Sequence, residues 1–452
     1  MAKSNLRQAE NTNGSSEAVD MHKFCLSWLK NRELGRRRGC EASRAQSDFI
    51  GRVYPTLQRR HWPGAPIVEE SKRPHTHGAV FNLEFSPDGK VLAAACEHTD
   101  VLLYDPLTTR QFHKMERAHL DCVNCIRFLD ARMFATCSDD CSVSLWDLRN
   151  LKQSICQLKG HTNWVKNIEY SRKSGLLLTS GFDGRVLTWD INKYMEDGCS
   201  HERVFHTHGL MRTRLTPDGS KMVMSTAMGY LIVIHDLDLS NMADDLKFFN
   251  AANYMRWYHI EQAPSVAGQD ADGAYFRLAR NRVEIVTDFV PAENYWYITS
   301  LQVHPQGWCS LSRYTSPDDD SEWTCVHDLQ DSPKQKPGVT NGQKMPQHQT
   351  RPRLTHFIEE ANVGRGFIKE LCFSDDGRLV CSPFGYGVRL LAFDPKCSEL
   401  CDCHPETPVQ LYEVKTVVTH ADTVLTTKFS PIHCMLVSGC LSGKICFYQP
   451  TL

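Results

Sequence analysis

The strongest constraint on the fold of this chain is an internal repeat that spans most of its length. Four consecutive segments each open with a histidine and close with an aspartate 28 or 29 positions later: His77 to Asp105, His119 to Asp147, His161 to Asp190 and His208 to Asp236. A fifth clear copy runs from His420 to Gln449, and two weaker copies end at Asp328 and Asp394. Repetition at a fixed period predicts similar units packed side by side, none of which can bury its apolar face alone.

Each unit has the layout of three consecutive antiparallel strands. An alternating apolar run leads to a turn such as SPDG at 86–89, TPDG at 216–219 or SDDG at 374–377. A run of small and apolar residues, a tight polar turn and a second alternating run follow. Short turns rich in Gly and Asp between alternating runs indicate tight hairpins. The repeat therefore predicts an all-β fold.

Two neighbouring units also share four polar or amphipathic positions. Because chain direction alternates from strand to strand, the histidine loop and the aspartate turn should meet on one face, where imidazole, carboxylate and hydroxyl satisfy one another. The same groups suggest a catalytic triad, but an enzyme needs only one copy of its site, so repetition favours a structural network. The positions are His119, Thr136, Asp140 and Trp146, and His161, Thr179, Asp183 and Trp189.

With their Gly-His or Ala-His openings and Trp-Asp closings, the units resemble WD repeats over about residues 75–450. The resemblance implies a seven-bladed β-propeller in which each blade is a four-stranded sheet. The fifth and sixth units depart from the pattern because they lack the histidine and the tryptophan. The last unit ends with its third strand, so we expect a segment within 50–76 to supply the fourth strand and close the ring.

We divide the chain into an N-terminal region, 1–49, and a propeller, 50–452. In the N-terminal region, Phe24, Trp28 and Leu29 have helical spacing and predict an amphipathic helix within 15–35, which either packs on the propeller or binds a partner. The basic run that follows, 36–60, is expected to be a solvated flexible segment, with a nuclear address or a phosphate contact as alternatives.

Two long insertions interrupt the repeats. Residues 239–295 contain the aromatic runs YMRWYHI and AENYWYITS, so we expect this insertion to pack in part and to bind in part. Residues 330–353 are rich in Pro, Gln and Lys and almost free of large apolar side chains. Such a segment is expected to be disordered, because it cannot bury enough apolar surface to offset the entropy of ordering.

Composition narrows the class of protein. The 452 residues carry a net charge of −2, which gives no overall attraction to nucleic acid or to a membrane. No apolar run of roughly 18 residues appears and the N-terminus is polar, so neither a spanning helix nor a secretory signal is expected. We therefore expect the chain inside the cell, in the cytoplasm, the nucleus or both, with its 19 cysteines reduced.

One cysteine cluster contains ligand types that zinc prefers. Cys397, Cys401, Cys403 and His404 lie close together in the sequence, but their spacing matches no usual zinc pattern and no second pair follows. An unliganded loop is the favoured interpretation, and zinc binding stays open. We expect no cofactor.

Residues 134–149, FATCSDDCSVSLWDLR, resemble the Trp-Asp-x-Arg box by which WD-repeat substrate receptors of cullin-4 RING ubiquitin ligases dock on the β-propeller adaptor of the ligase. That adaptor is of the damage-specific DNA-binding protein 1 type. The resemblance implies that Arg149 faces the adaptor, that Asp140 and Asp147 hold its strand and turn, and that Trp146 supports it from inside. Strand alternation places Arg149 on the face opposite the histidine loops.

An N-terminal helix is a recurrent adaptor-binding element in that family, which implies the same role for Phe24, Trp28 and Leu29. FCLSWLKNRELG and the first three units are together similar to the same family. The implied function is non-catalytic recognition of protein substrates that the sequence does not identify. The alternatives are a WD-repeat scaffold unconnected with a ligase and a nucleic-acid-binding propeller that uses 32–60. An enzyme is less favoured, because no nucleotide-binding glycine loop, metal set or unrepeated nucleophile and base pair appears.

Overall fold

Antiparallel pairing of neighbouring segments produces seven separate sheets, which are the blades of a β-propeller. The computed structural model describes residues 40–59, 77–192, 199–247, 249, 281–286, 289, 298–314, 321–330, 353–361, 369–403 and 405–451. The seven-bladed all-β fold that the repeats predict is confirmed. The predicted helix that carries Phe24, Trp28 and Leu29 lies outside the described residues.

The strands follow one another blade by blade from the inside of the ring outwards. Before the first blade come helix α1 (Cys40–Val53), a 3-10 turn (Tyr54–Thr56) and strand β1 (Leu57–Arg59). Blade 1 holds β2 (Val80–Phe85), β3 (Leu92–Cys96), β4 (Val101–Asp105) and β5 (Arg110–Met115). Blade 2 holds β6 (Val123–Phe128), β7 (Met133–Ser138), β8 (Ser142–Asp147) and β9 (Cys156–Lys159). Blade 3 holds β10 (Val165–Ser171), β11 (Leu176–Gly181), β12 (Arg185–Trp189) and β13 (His201–His206).

The later blades carry the irregular connections. Blade 4 holds β14 (Leu210–Leu215), β15 (Met222–Thr226), β16 (Leu231–His235) and, after helix α2 (Met242–Asp245), β17 (Arg282–Val286). Blade 5 holds β18 (Ile298–Val303), β19 (Trp308–Tyr314), β20 (Ser321–Asp328) and β21 (Leu354–Ala361). Blade 6 holds β22 (Cys372–Phe373), β23 (Leu379–Phe384), β24 (Gly387–Ala392) and β26 (Tyr412–Val418), while β25 (Val409–Gln410) adds a parallel fifth strand to blade 5. Blade 7 holds β27 (Val424–Phe429), β28 (Leu436–Cys440) and β29 (Ile445–Pro450).

The turns between the first and second strands of blades 1, 4 and 6 share one geometry. In each, the amide of the glycine donates to the carbonyl oxygen three residues earlier at 2.8 Å: Gly89 to Ser86, Gly219 to Thr216 and Gly377 to Ser374. The φ angles of these glycines are 65°, 66° and 74°. A residue with a side chain is strained at such angles, which explains why the repeated turn ends in glycine.

The ring is closed by pairing the two ends of the propeller. Strand β1 lies antiparallel to β29, with Leu57 opposite Pro450 and Arg59 opposite Tyr448, and it is the fourth strand of blade 7. Leu57 is 1% exposed. The closing strand lies within 50–76, as predicted. It completes blade 7 as a four-stranded sheet, so the edge of β29 is paired.

The segment ahead of the closing strand is ordered on the propeller. Ile50 and Val53 of α1 are 2% and 1% exposed, and Ile50 packs in one cluster with Leu379 and Cys397 of blade 6. The prediction that 36–60 is flexible is therefore wrong for residues 40–59, because helical spacing places these apolar side chains on one buried face. The boundary that the sequence suggested, between 49 and 50, falls inside α1.

Both insertions follow the third strand of a blade, but the one predicted over 239–295 also contains the fourth strand of blade 4, β17 (Arg282–Val286). In blade 4 the chain leaves β16 through α2, whose Met242 is fully buried, and it returns as β17. Phe249 of this insertion stacks on Phe205 with ring centroids 6.1 Å apart. In blade 5 the insertion runs from β20 to β21, and most of 330–353 lies outside the described residues.

Candidate functional site

The four shared positions of blade 2 meet in one hydrogen-bonded network. Nδ1 of His119 lies 3.0 Å from Oδ2 of Asp140, and Nε2 lies 2.7 Å from Oγ1 of Thr136. The indole Nε1 of Trp146 donates to the same threonine oxygen at 2.9 Å. The network joins the loop before β6 to β7, β8 and the turn between them, on what we call the histidine face.

Blade 3 repeats the network with nearly the same geometry. Nδ1 of His161 lies 3.0 Å from Asp183 Oδ2, its Nε2 lies 2.8 Å from Thr179 Oγ1, and Trp189 Nε1 donates to Thr179 at 2.9 Å. Burial by itself raises the pKa of Asp183, but the hydrogen bonds from His161 and from the Thr162 amide outweigh it and hold that pKa at about 2. These contacts satisfy buried polar groups, which is a structural role.

Blade 7 contains a variant of the network that the sequence pattern did not reveal. His420 Nε2 lies 2.6 Å from Ser438 Oγ, and the phenol of Tyr448 lies 2.8 Å from the same oxygen. Serine and tyrosine thus stand where blades 2 and 3 have threonine and tryptophan. The sequence would have revealed this network only if serine had been accepted in place of threonine, and tyrosine in place of tryptophan, at the shared positions.

Blades 5 and 6, which lack the histidine and tryptophan, are joined by a different buried network. The ammonium of Lys369 lies 3.1 Å from Glu322 and 3.0 Å from Glu360. Thr324 and Ser382 each donate to Glu360 at 2.7 Å. Burial by itself lowers the pKa of Lys369, but the two carboxylates outweigh it and raise that pKa. The sequence analysis missed these residues, because they come from separate units.

The Trp-Asp-x-Arg residues form a tight turn at the end of β8. Asp147 accepts hydrogen bonds from the backbone amide of Arg149 at 2.9 Å and from its side-chain Nε at 3.0 Å. The Arg149 side chain is 69% exposed. The side-chain and backbone hydrogen bonds from Arg149 lower the pKa of Asp147 to about 2, and the carboxylate raises the pKa of Arg149.

The pairing with Asp147 leaves part of the guanidinium available to a partner. Nε and Nη2 of Arg149 donate to the Asp147 carboxylate, whereas Nη1 donates to no other residue in the described part of the chain. A guanidinium has five N–H donors in a fixed plane. Arg149 is therefore held in one orientation with donors that still face solvent.

Trp146 supports this turn from inside the propeller. It is 5% exposed and packs in one cluster with Phe134, Leu148 and Leu151. Asp140 lies at the opposite end of β8, on the histidine face, so it contacts the turn only through the strand. Because β8 (Ser142–Asp147) runs from the turn that holds Asp140 to the turn that holds Arg149, Arg149 lies on the opposite face of the ring, which we call the arginine face.

The turn itself does not require arginine. Equivalent aspartates accept the backbone amide of the second following residue in blades 1, 3, 5 and 6, at 2.9 to 3.1 Å. A backbone donor is present whatever the side chain, so the aspartate sets the turn and leaves the presented residue free to vary. The presented residues are Leu107, Asn192, Gln330 and Lys396.

A chain of ion pairs lines the central channel, which the inner strands of the blades surround. The sequence analysis did not identify these residues. Lys428 lies 2.6 Å from Glu84, Arg127 lies 3.5 Å from Glu84 and 3.0 Å from Glu169, and Arg214 lies 3.3 Å from Glu169. Arg214 then reaches Glu370 at 3.2 Å. The amide of Gln302 donates to Glu370 at 2.9 Å, so all seven blades contribute. The only sequence signal is a polar residue near the end of most inner strands.

The channel widens into a cavity of about 570 Å³ on the arginine face, lined by Arg127, Glu169, Arg214 and Lys428 among others. Five basic and four acidic side chains line it, so the cavity presents no concentrated charge of one sign. The role that these contacts support is structural, because the ion pairs of the channel join neighbouring blades.

The predicted cysteine cluster does not form a metal-binding group in the described part of the chain. Cys397 is buried, Cys401 is exposed and Cys403 is half-buried, while His404 lies outside the described residues. The group whose ligand atoms do lie within 4.8 Å of one another is Asp121, Cys122 and Asp139. Asp139 is already paired with Lys166 at 3.0 Å.

No helix among the described residues is long and apolar enough to cross a membrane. The arrangement around Arg149 is the candidate site: a hydrogen-bonded turn that presents one exposed guanidinium, paired with Asp147.

Comparison with known proteins gives two findings. The pattern of the family described as "WD domain, G-beta repeat" matches residues 69–105, 110–147 and 152–190. "DDB1- and CUL4-associated factor 10" of Danio rerio is 49% identical over 441 residues, which are 94% of this chain and 84% of the relative. The proteins of the same name from Xenopus laevis and Homo sapiens are 48% and 47% identical over 94% of this chain, and the matches cover 94% and 78% of those relatives.

Proposed function

Because the chain belongs to the DDB1- and CUL4-associated factor 10 family, we propose that it is a substrate-recognition subunit of a cullin-4 RING ubiquitin ligase. The resemblance of residues 134–149 and of FCLSWLKNRELG to cullin-4 substrate receptors is confirmed, and within that class the chain resembles member ten of the cullin-4-associated factors. The observation that carries the proposal is Arg149, an exposed guanidinium held by Asp147 at the end of the Trp-Asp-x-Arg box. In this proposal Arg149 contacts DDB1, the adaptor named in the relatives.

The chain acts by binding and performs no chemical step in this proposal. DDB1 and CUL4 bring the ubiquitin-conjugating machinery, and the propeller holds a protein substrate nearby, which raises the effective concentration of substrate lysines. The cysteines among the described residues are free thiols, which suits the reducing interior of a cell, in the cytoplasm or nucleus.

Arg149→Ala tests the adaptor contact. Exposed substitutions change stability by no more than about 0.5 kcal/mol, whereas loss of an interface hot spot costs about 2 kcal/mol or more, roughly thirtyfold in affinity. We expect adaptor binding to fall while the melting temperature stays unchanged. The measurement is co-purification of DDB1 with wild type and variant, alongside thermal unfolding of each.

Asp140→Ala is the matched control from the other end of the same strand. It removes the carboxylate that His119 Nδ1, the Leu120 amide and the Ser142 hydroxyl share, so it should lower stability first, by about 1 to 3 kcal/mol. If Arg149→Ala retains full adaptor binding, or if wild type binds no DDB1, the ligase assignment fails and a non-ligase WD-repeat scaffold takes its place.

The second adaptor contact that we propose is the N-terminal segment with Phe24, Trp28 and Leu29. Apolar anchors of this kind dominate interface energies, so replacing the three by alanine should weaken DDB1 binding roughly tenfold or more. The propeller should keep its unfolding temperature. A fall in that temperature at unchanged DDB1 affinity would instead mean that the segment packs on its own propeller.

A further inference from the structure

Arg149 by itself is too small to form a stable docking surface. Specific protein interfaces bury about 800 Å² on each partner, with roughly 20 to 30 residues a side. Their strongest contacts combine arginine with aromatic and aliphatic anchors near the centre. Around Arg149 the turn offers polar groups, since Asn150 is exposed and Asp147 is paired. An apolar contribution must come from the elements next to this turn.

Blade 1 is the neighbour against which the turn is packed. Leu148 and Leu151, on either side of Arg149, lie in one cluster with Val91 and Leu103 of blade 1. Leu103 belongs to β4, and the turn that follows β4 is the blade 1 equivalent of the Arg149 turn. Leu107 occupies the position of Arg149 there, and its amide donates to Asp105 at 2.9 Å.

This edge of blade 1 exposes large apolar side chains. Leu107 is 54% exposed, and Phe112, two residues into β5 and close to the same face, is 53% exposed. In blade 2, Ile155 just before β9 is 43% exposed, and its amide donates to Leu145 of β8 at 2.7 Å. We call Leu107, Phe112 and Ile155 the apolar flank. The turn does not demand leucine, because blades 3 and 6 have Asn192 and Lys396 at its position.

We propose that the apolar flank is the hydrophobic part of the DDB1-docking surface, with Arg149 as its charged part. The occupant is DDB1, because Leu107 and Phe112 lie on the edge of the blade against which Leu148 and Leu151 of the DDB1-assigned turn are packed, and this inference rests on the proposed function. The adaptor surface that fits has an acceptor for the free N–H groups of Arg149 beside an apolar area over blade 1. Burying Leu107 and Phe112 removes apolar surface from water, which supplies the binding free energy that a solvated ion pair lacks.

The test introduces charge into the flank. In the full chain, Leu107→Glu with Phe112→Glu should weaken binding to purified DDB1 roughly tenfold or more. The matched control is Val409→Glu with Tyr412→Glu: Val409 lies in β25 at the edge of blade 5, Tyr412 begins β26 of blade 6, and the two are 39% and 46% exposed. The control pair should bind within about twofold of wild type. Thermal unfolding of each variant checks that the propeller is intact.

The outcomes separate this inference from the proposed function. If Arg149→Ala loses binding while the flank variant binds like wild type, the flank is not part of the interface and the ligase assignment stands. Equal loss in the control with Val409→Glu and Tyr412→Glu would also overturn the inference, because the effect would not be local. If wild type binds no DDB1, the proposed function fails and the flank proposal falls with it. Should the glutamate variant misfold, Leu107→Ala with Phe112→Ala is measured instead, with an expected loss of about fivefold.

Discussion

At the scale of single residues, stability and recognition are assigned to different positions of the same turn. Asp105, Asp147, Asp190, Asp328 and Asp394 each accept a backbone amide two residues ahead. The residue that donates this amide holds the turn through its backbone, so the turn forms whatever side chain it presents to the surface. Arg149 can therefore serve a partner without a cost to the fold, which is why its substitution distinguishes binding from stability.

The buried aspartates of the histidine face have the opposite property, and Asp183 allows a pH test. Its folded pKa of about 2 lies below its usual value of 3.8. A lowered pKa contributes stability that is complete above pH about 4 and is lost as the pH falls through about 2. Asp183→Asn should therefore unfold at a lower temperature than wild type at pH 7, with a deficit of about 1 to 3 kcal/mol, and the deficit should shrink between pH 4 and pH 2.

Thermal unfolding from pH 7 down to pH 2.5 or so measures this difference, with roughly half-unit steps below pH 4. The control is Asp121→Asn, an exposed carboxylate next to the equivalent loop of blade 2, which should stay within about 0.5 kcal/mol of wild type throughout. A constant gap between Asp183→Asn and wild type across this range would contradict the assignment.

At the scale of elements, the three-residue strand β1 has an effect out of proportion to its length. It pairs with β29 along its whole extent and places Leu57 in the core between blades 6 and 7, with Tyr448 and Leu379. The strand therefore joins the two ends of the propeller through backbone hydrogen bonds and through one buried side chain.

Leu57→Ala measures the packing part of this closure. Removing a fully buried leucine side chain costs about 2 to 5 kcal/mol, so the variant should show a clearly lower free energy of unfolding in urea. Gln58→Ala is the matched control, because Gln58 lies on the same strand with its side chain exposed, and it should change little. Equal stability of the two variants would mean that β1 does not fix the closure.

At the scale of the whole molecule, the ring is held by contacts that join blades distant in sequence. The ion pairs of the channel link neighbouring inner strands from Lys428 through Glu84 and Arg127 to Glu370. Glu169 lies between Arg127 and Arg214, and Arg214 lies between Glu169 and Glu370, so removing a blade would leave buried charges unpaired, at a large cost. The propeller should therefore unfold as one unit.

A chain that begins at residue 77 tests this cooperativity, because it lacks α1 and β1. Blade 7 then has an unpaired edge and the ring is open, so calorimetry should show a lower melting temperature and a broader transition than for the full chain. A chain that begins at residue 40 retains both elements and is the control. Unfolding of the shorter chain at the same temperature and with the same sharpness as the full chain would refute the closure argument.

Much of this architecture follows from the sequence alone, because the repeat is local. The distance from His119 to Asp147 and the alternation between them determine three strands, their directions and the meeting of imidazole and carboxylate, all within one unit. The seven blades and the position of the closing strand follow by counting. Arg149 was identified from the resemblance of residues 134–149 to the Trp-Asp-x-Arg box, which is also a contiguous motif.

Tertiary structure alone decided which residues of separate units meet. Arg214 and Glu370 are 156 positions apart yet paired in the channel, and Lys369 joins Glu322 and Glu360 across two blades whose repeat pattern is weak. Residues 40–53 read as a basic, flexible stretch until Ile50 and Val53 are seen packed beside the blades. A periodic pattern records how each segment folds on itself, whereas contacts between segments depend on how closed blades pack around an axis, and no local pattern carries that information.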